Sequence, residues 1–285
     1  MSLWFFASDL HGYVTRYQNL FRAILVEKPQ VVLLGGDILP GGLYYPGDMP
    51  GKSFIHTILE EGFGALRDKL SSDYPKVLLI LGNDDPRIEE AGLLEGESDG
   101  LWNYIHFRQV ECGDFRVYGY ACVPPTPFTL KDWERYDVSR FVDLGCISPE
   151  EGWRSVPVSL NEIRFTTIQA ELDTLTGSSD LSKAVFLFHA PPHQTSLDRV
   201  ALDGKTIDHI PLDVHAGSIA IRRFIEKKQP CVTLHGHIHE SARLTGSWSE
   251  QIGRTWAYSA AHDGTELALV RFDPACPAKA TRSLI

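Results

Sequence analysis

Asp9 and His11 stand two residues apart just beyond a short apolar run, and His237 and His239 repeat that spacing beyond another. In extended backbone, residues two apart send their side chains to one face, so each pair is expected to present two donors together. Asp37, Asn83-Asp84 and His189 close three further apolar runs. From Asp9, Asp37, Asn83 and the four histidines these positions offer two carboxylates, an amide and four imidazoles. Nitrogen and oxygen donors of intermediate hardness suit manganese, iron or zinc. Seven donors exceed what one four-coordinate ion takes, so the set points to a pair of divalent ions. Most of these motifs are weak alone, and Gly236-His237-Ile238-His239 is the more suggestive one. Gly36-Asp37 and Gly82-Asn83-Asp84 are ordinary turn chemistry, and an Asp-x-His pair arises by chance on exposed turns. The weight comes from their joint occurrence, in order, each ending an apolar run.

The elements that must carry these donors follow from the pattern around them. Residues 3–7, 31–34, 77–81, 184–188 and 231–234 are continuous apolar runs bounded by Gly, Asp, Asn or His. Runs of this length suit strands covered on both faces, and ligands of open α/β sheets bind beyond the carboxyl ends of such strands. Helical spacing predicts helices over 13–28, 161–175 and 218–228, the last capped by Ser218 and stopped before Pro230. Residues 104–107, 115–121, 256–259 and 266–272 are predicted as further strands. An α/β core with two stacked sheets is expected.

Residues 123–157 break the alternation with five prolines and the aromatics Phe128, Trp133, Tyr136, Phe141 and Trp153. This stretch is too aromatic for a solvated linker and too rich in proline for core sheet. It is expected to be an ordered insertion packed on the domain, and a candidate wall for the pocket. Residues 43–52 form a second expected loop. No repeat or interdomain linker is visible, so residues 1–285 are taken as one domain.

Composition bounds the partners. Lys+Arg 27 against Asp+Glu 37 leaves a formal charge of −10, which argues against extended nucleic acid or an anionic membrane held by surface electrostatics. Two bound divalent ions would cancel four of those negative charges at the site, so the acidity does not exclude a small anionic substrate. The five cysteines form no Cys-x-x-Cys pair, and no apolar run reaches the length of a membrane span. A soluble, cytoplasmic protein is the expectation; a homo-oligomer stays open.

The series Asp9-x-His11, Gly36-Asp37, Gly82-Asn83, His189 and Gly236-His237-x-His239 resembles the calcineurin-like metallophosphoesterase superfamily. That resemblance implies a sandwich of two mixed β-sheets flanked by helices, with a dinuclear site at one sheet edge. It implies Asp9, His11, Asp37 and His239 on one ion. Asp37 would bridge to a second ion held also by Asn83, His189 and His237. Manganese is the first choice, with iron, zinc, nickel or magnesium as alternatives. The implied reaction is hydrolysis of a phosphoester by in-line attack of a hydroxide shared between the ions.

One departure bears on the substrate. The family's common Gly-Asn-His-Asp/Glu motif reads Gly82-Asn83-Asp84-Asp85 here. The absent histidine usually approaches the phosphate or leaving group, and some members that act on phosphodiesters vary at this position. A phosphodiester is therefore favoured over a monoester. Asp84, in protonated form, and His193, four residues beyond His189, are the candidate catalytic groups. Asn83 is a candidate substrate contact, as is His215, which precedes a helix N-terminus suited to an anion. Asp85 is expected to be a supporting carboxylate or turn residue. Two alternatives are a nuclease acting on nucleic-acid ends and a non-catalytic scaffold on the same fold. The scaffold would be expected to have lost ligands, and all seven stand here.

Overall fold

The computed structural model describes residues 2–41 and 54–285; the loop expected at 43–52 lies outside them. In chain order the first part runs β1 (Trp4–Ala7), α1 (Val14–Glu27), β2 (Val31–Gly35), α2 (Glu61–Leu70, entered by a wider turn at Ile55–Glu60), β3 (Lys76–Ile80) and α3 (Glu90–Ser98). Next come β4 (Asn103–Tyr104), β5 (Arg108–Cys112), β6 (Phe115–Tyr120), α4 (Leu160–Phe165), α5 (Ile168–Thr176) and β7 (Ala184–Phe188). The remainder is a small hairpin of β8 (Thr206–Ile207) and β9 (Ile210–Pro211), then α6 (Ile219–Lys228), β10 (Val232–His235), α7 (Ser241–Thr245), β11 (Ser249–Ile252), β12 (Thr255–Ser259), β13 (Ala268–Phe272) and β14 (Thr281–Leu284).

Two six-stranded sheets form, in the orders β14-β13-β1-β2-β3-β4 and β11-β12-β10-β7-β6-β5. In the first, β1 to β4 are parallel and β13 and β14 run antiparallel at one edge. In the second, β6, β7, β10 and β12 are parallel, flanked by antiparallel β5 and β11. Both sheets are thus mixed, and helices flank them. The central strands are wholly buried, as their unbroken apolar runs require: Phe5, Phe6, Leu33 and Leu34 fill one sheet, and Val185, Phe186, Leu187, Phe188 and Leu234 the other. The fold is an α/β sandwich. No helix among the described residues is long and apolar enough to cross a membrane.

Several local expectations shift. The helix predicted at 161–175 is two helices, because Thr167 turns extended and its hydroxyl accepts from the Ala170 N–H to start α5. The strand predicted at 104–107 ends at Tyr104, and Phe107 turns the chain with φ 55° into the separate strand β5. In α1 the buried face is Arg16, Tyr17, Leu20, Ala23 and Ile24, while the apolar Val14 and Leu25 of the same helix are exposed. Sequence periodicity assigned nothing to α2 and α3, whose glycines weaken the helical signal. Gly96 has a packing reason, since a side chain there would run into the ring of Trp102.

The 123–157 segment has almost no regular structure, yet Lys131, Asp132, Trp133 and Glu134 are buried. The Trp133 indole donates to the Asp85 carbonyl at 2.8 Å, and Asp132 accepts from the Arg87 N–H at 2.8 Å. A few residues on, it reaches α6, where Asp137 accepts from the Ser218 hydroxyl and from the Ile219 and Ala220 N–H groups. Phe128, Phe141 and Trp153 point outward. The segment straps the loop after β3 to the start of α6.

Candidate metal centre

The loops after β1, β2, β3, β7 and β10 meet at one edge of the sandwich. Backbone bonds hold them in register: Asp9 N–H to Gly36 O at 3.0 Å, His11 N–H to Asp37 O at 2.7 Å, and Gly236 N–H to His189 O at 2.8 Å. Gly36, at φ 93°, is needed twice over. Its backbone is left-handed, and a Cβ would sit 2.6 Å from His189 Nδ1.

Two groups of donors result. Ligand atoms of Asp9, His11, Asp37 and His239 lie within 4.8 Å of one another, and so do those of Asp37, His189 and His237. Asp37 is common to both. His11 Nε2 lies 3.1 Å from His239 Nε2, and His239 Nε2 lies 3.3 Å from Asp9 Oδ1. In the second group His189 Nε2 is 3.2 Å from Asp37 Oδ2 and 3.0 Å from the side-chain oxygen of Asn83. All seven donors singled out in the sequence are thus at this edge.

The local geometry differs from the extended pairs expected. Asp9, His11, Asp37 and His237 have φ of 57°, 46°, 50° and 72°. Left-handed backbone is uncommon outside glycine, and such residues concentrate at functional sites. The side chains converge because these turns fold each one back over the sheet edge, not because a pleat aligns them.

The residues fit a pair of cations. Asp9 Oδ2 is buried and has no hydrogen-bond partner, a costly state for a carboxylate oxygen unless an ion faces it. The His189 Nδ1–H donates to Gly35 O at 2.8 Å, which leaves Nε2, beside Asn83 and Asp37, to turn its lone pair to a cation. This is how metal-ligating histidines are usually oriented. Charge is compressed accordingly. Burial works to raise the Asp9 carboxyl, but its bond to His239 and the nearby imidazoles hold it well below the usual carboxylate range. Against the same opposing effect of burial, the imidazoles hold Asp37 at about 2. Burial opposes charge on His11 and His189 too, yet the carboxylates around them raise both to about 9. For His237 burial dominates, with His189 beside it, and its value falls to about 3.

The proposed supporting groups separate. Asp85 is fully buried and its carboxylate accepts from the Ile38, Leu39 and Gly82 N–H groups at 3.1, 2.8 and 2.8 Å. It ties the Asp37 loop to the Asn83 loop, and burial, with Asp37 nearby, raises its pKa to about 7. The Asp84 N–H donates to Asp37 Oδ1 at 2.8 Å, and its carboxylate faces His11. His193 and His215 form a separate cluster, with rings 5.9 Å apart on either side of the buried Asp198. His235 donates through Nδ1 to the Ala190 carbonyl at 2.8 Å and is held within the strand.

Two supporting residues escaped the sequence reading. Arg16 is buried and its guanidinium binds the carbonyls of Asp9 and Gly264. Its signal was a lone charge within an otherwise apolar helix face. Asp198 belongs to no motif, and its carboxylate joins residues 193–195 to the distant residues 215–217.

Solved structures share this architecture. One is TT1561 of Thermus thermophilus, 14% identical, covering 99% of this chain and 98% of that chain with a TM-score of 0.57. Another is a dimetal phosphatase from Danio rerio, 12% identical, covering 95% and 91% with a TM-score of 0.51. At these identities the likeness is one of fold. No curated protein matches the chain. Residues 5–241, which hold both donor groups, match the family described as calcineurin-like phosphoesterase. The chain belongs to the calcineurin-like phosphoesterase family.

Proposed function

We propose that this protein hydrolyses a small phosphodiester at two divalent cations held by the two donor groups. The observation that carries the reading is the sharing of Asp37 between those groups, with the partnerless oxygen of Asp9 beside it. Asp9, His11, Asp37 and His239 would hold one cation, and Asp37, Asn83, His189 and His237 the other, manganese first among the candidates. Two such ions supply Lewis-acid charge for phosphoryl oxygens and a water acidified toward neutrality.

The chain's own residues do the rest. Gly35 O fixes the His189 ring through Nδ1, Arg16 pins the Asp9 backbone, and Asp85 locks the two loops that carry Asp37 and Asn83. Asp84 turns its carboxylate to the His11 ring, 3.3 Å from Nδ1, and this position supplies no imidazole to protonate a leaving group. That favours a diester with a stabilised leaving group over a monoester with a poor one. His193 is the proposed proton donor and His215 the proposed substrate contact. The shared Asp198 holds the His215 Nδ1–H and leaves Nε2 free. His193 lies four residues from His189, within about 14 Å along the chain.

The test is metal content of the purified protein, then turnover of bis-p-nitrophenyl phosphate, p-nitrophenyl phosphate and cyclic nucleotides with added Mn²⁺. Stoichiometric metal and preferred turnover of a diester are expected. Exclusive monoesterase activity overturns the diester preference. Absence of bound metal with no gain from Mn²⁺ overturns the enzyme reading.

A further inference from the structure

The position where the family's common motif carries histidine is occupied by Asp84, and its contacts assign it a different task. Its Oδ2 lies 3.3 Å from His11 Nδ1. The opposite nitrogen of the same ring, Nε2, faces the donor group, 3.1 Å from His239 Nε2 and 4.0 Å from Asp37 Oδ2. The backbone of Asp84 is anchored separately, through its N–H to Asp37 Oδ1. Gly41 makes room, since a Cβ there would collide with Asp84 Oδ2. Asp84 is in neither group of mutually close donors.

We infer that Asp84 is a positioning residue for His11: its carboxylate accepts the Nδ1 proton and so presents Nε2 to a cation. An imidazole can bind a metal through one nitrogen only when the proton sits on the other, and a carboxylate there fixes the tautomer, holds the ring and raises its basicity. His189 reaches the same end with the Gly35 carbonyl. The inference rests on the dinuclear reading and adds to it a role for the residue that departs from the common motif. It also separates the side chain from the loop. Replacing the Asp84 carboxylate leaves its N–H on Asp37, and the side chain is 43% exposed, so the variants are expected to fold.

The experiment is zinc binding by calorimetry with a competing chelator on wild type, Asp84→Ala and Asp84→Asn. It is paired with nitrogen-15 NMR of the histidine rings in the zinc-loaded proteins. Wild type is expected to take two zinc ions per chain and to show a protected Nδ1 proton on His11. In Asp84→Ala one of the two sites weakens by about 10–100-fold and the His11 Nδ1 proton loses protection. The thermal midpoint of the metal-free protein stays unchanged. Asp84→Asn, whose amide oxygen still accepts without charge, falls between. Wild type without zinc overturns the dinuclear reading and this inference with it. Two zinc sites of unchanged affinity in Asp84→Ala overturn the inference alone. So does a fall in the metal-free midpoint that accounts for the weaker site. Loss of a site in Asp84→Asn with the His11 Nδ1 proton still protected makes Asp84 a ligand itself and likewise overturns it.

Discussion

Asp198 accepts the His215 Nδ1–H at 2.8 Å while its two oxygens also receive the N–H groups of Gln194, Thr195 and Gly217. A buried carboxylate with three backbone donors is fixed in place, and it fixes the imidazole in turn. With His193 as the proton donor, His193→Ala is expected to lower turnover of a diester with a poor leaving group by about 10²–10⁴-fold. His215→Ala is expected to act mainly on KM. Metal content should match wild type in both. Steady-state kinetics across leaving groups of graded pKa checks this, and an equal loss on all of them would rule out proton donation by His193.

Asp37 belongs to both donor groups, so it has no substitute within either. Asp37→Asn is expected to cut bound metal below one ion per chain and turnover by about 10²–10³-fold. Asn83→Ala should release one ion and spare the other. Elemental analysis after gel filtration distinguishes the two. In the wild type, added Mn²⁺ at a hundred times its Kd should stabilise the fold by about 2.7 kcal/mol for each site filled, reversibly on chelation.

Asp85 joins the loops after β2 and β3 through three backbone N–H groups. Asp85→Ala leaves these donors buried without partners, each costing about 1–3 kcal/mol where water cannot reach. Urea unfolding of the metal-free variant should show a lowered midpoint with an unchanged slope. A midpoint equal to wild type would mean that water replaces the carboxylate.

His106 packs edge-on against Trp133 and its Nδ1 accepts from the Ala121 N–H. Burial, and then the charges of Arg135, Arg87 and Arg108, push its pKa down to about 3. An unfolded histidine titrates near 6.5, so between these values the unfolded chain binds the extra proton. Stability contributed by the neutral ring is present above pH 6.5 and is lost as pH falls toward 3, by up to about 1.4 kcal/mol per unit. His106→Gln should flatten the dependence of unfolding free energy on pH between 6.5 and 4. A slope equal to wild type would assign the acid sensitivity to other groups.

Much of the fold was legible because its signals are local. The five central strands are apolar runs ended by turn residues, and Ser218 is the cap its sequence suggests. The break at Thr167 was invisible, since nothing nearby interrupts the apolar spacing. The strand end at Tyr104 was missed because only the structure shows that Phe107 adopts a positive φ.

By itself the sequence determined which donors exist and that each ends a strand, because residue type and short-range patterning carry that information. The tertiary structure decided which donors meet. His11 and His239 face each other across 228 residues, a pairing set by the order of strands in two sheets. It also decided that Asp37 is shared, that four donors sit on left-handed backbone, and that Asp84 turns to His11 while Asp198 gathers His193 and His215. Side-chain direction at a strand end depends on loop dihedrals stabilised by contacts distant in sequence, and spacing along the chain does not encode them.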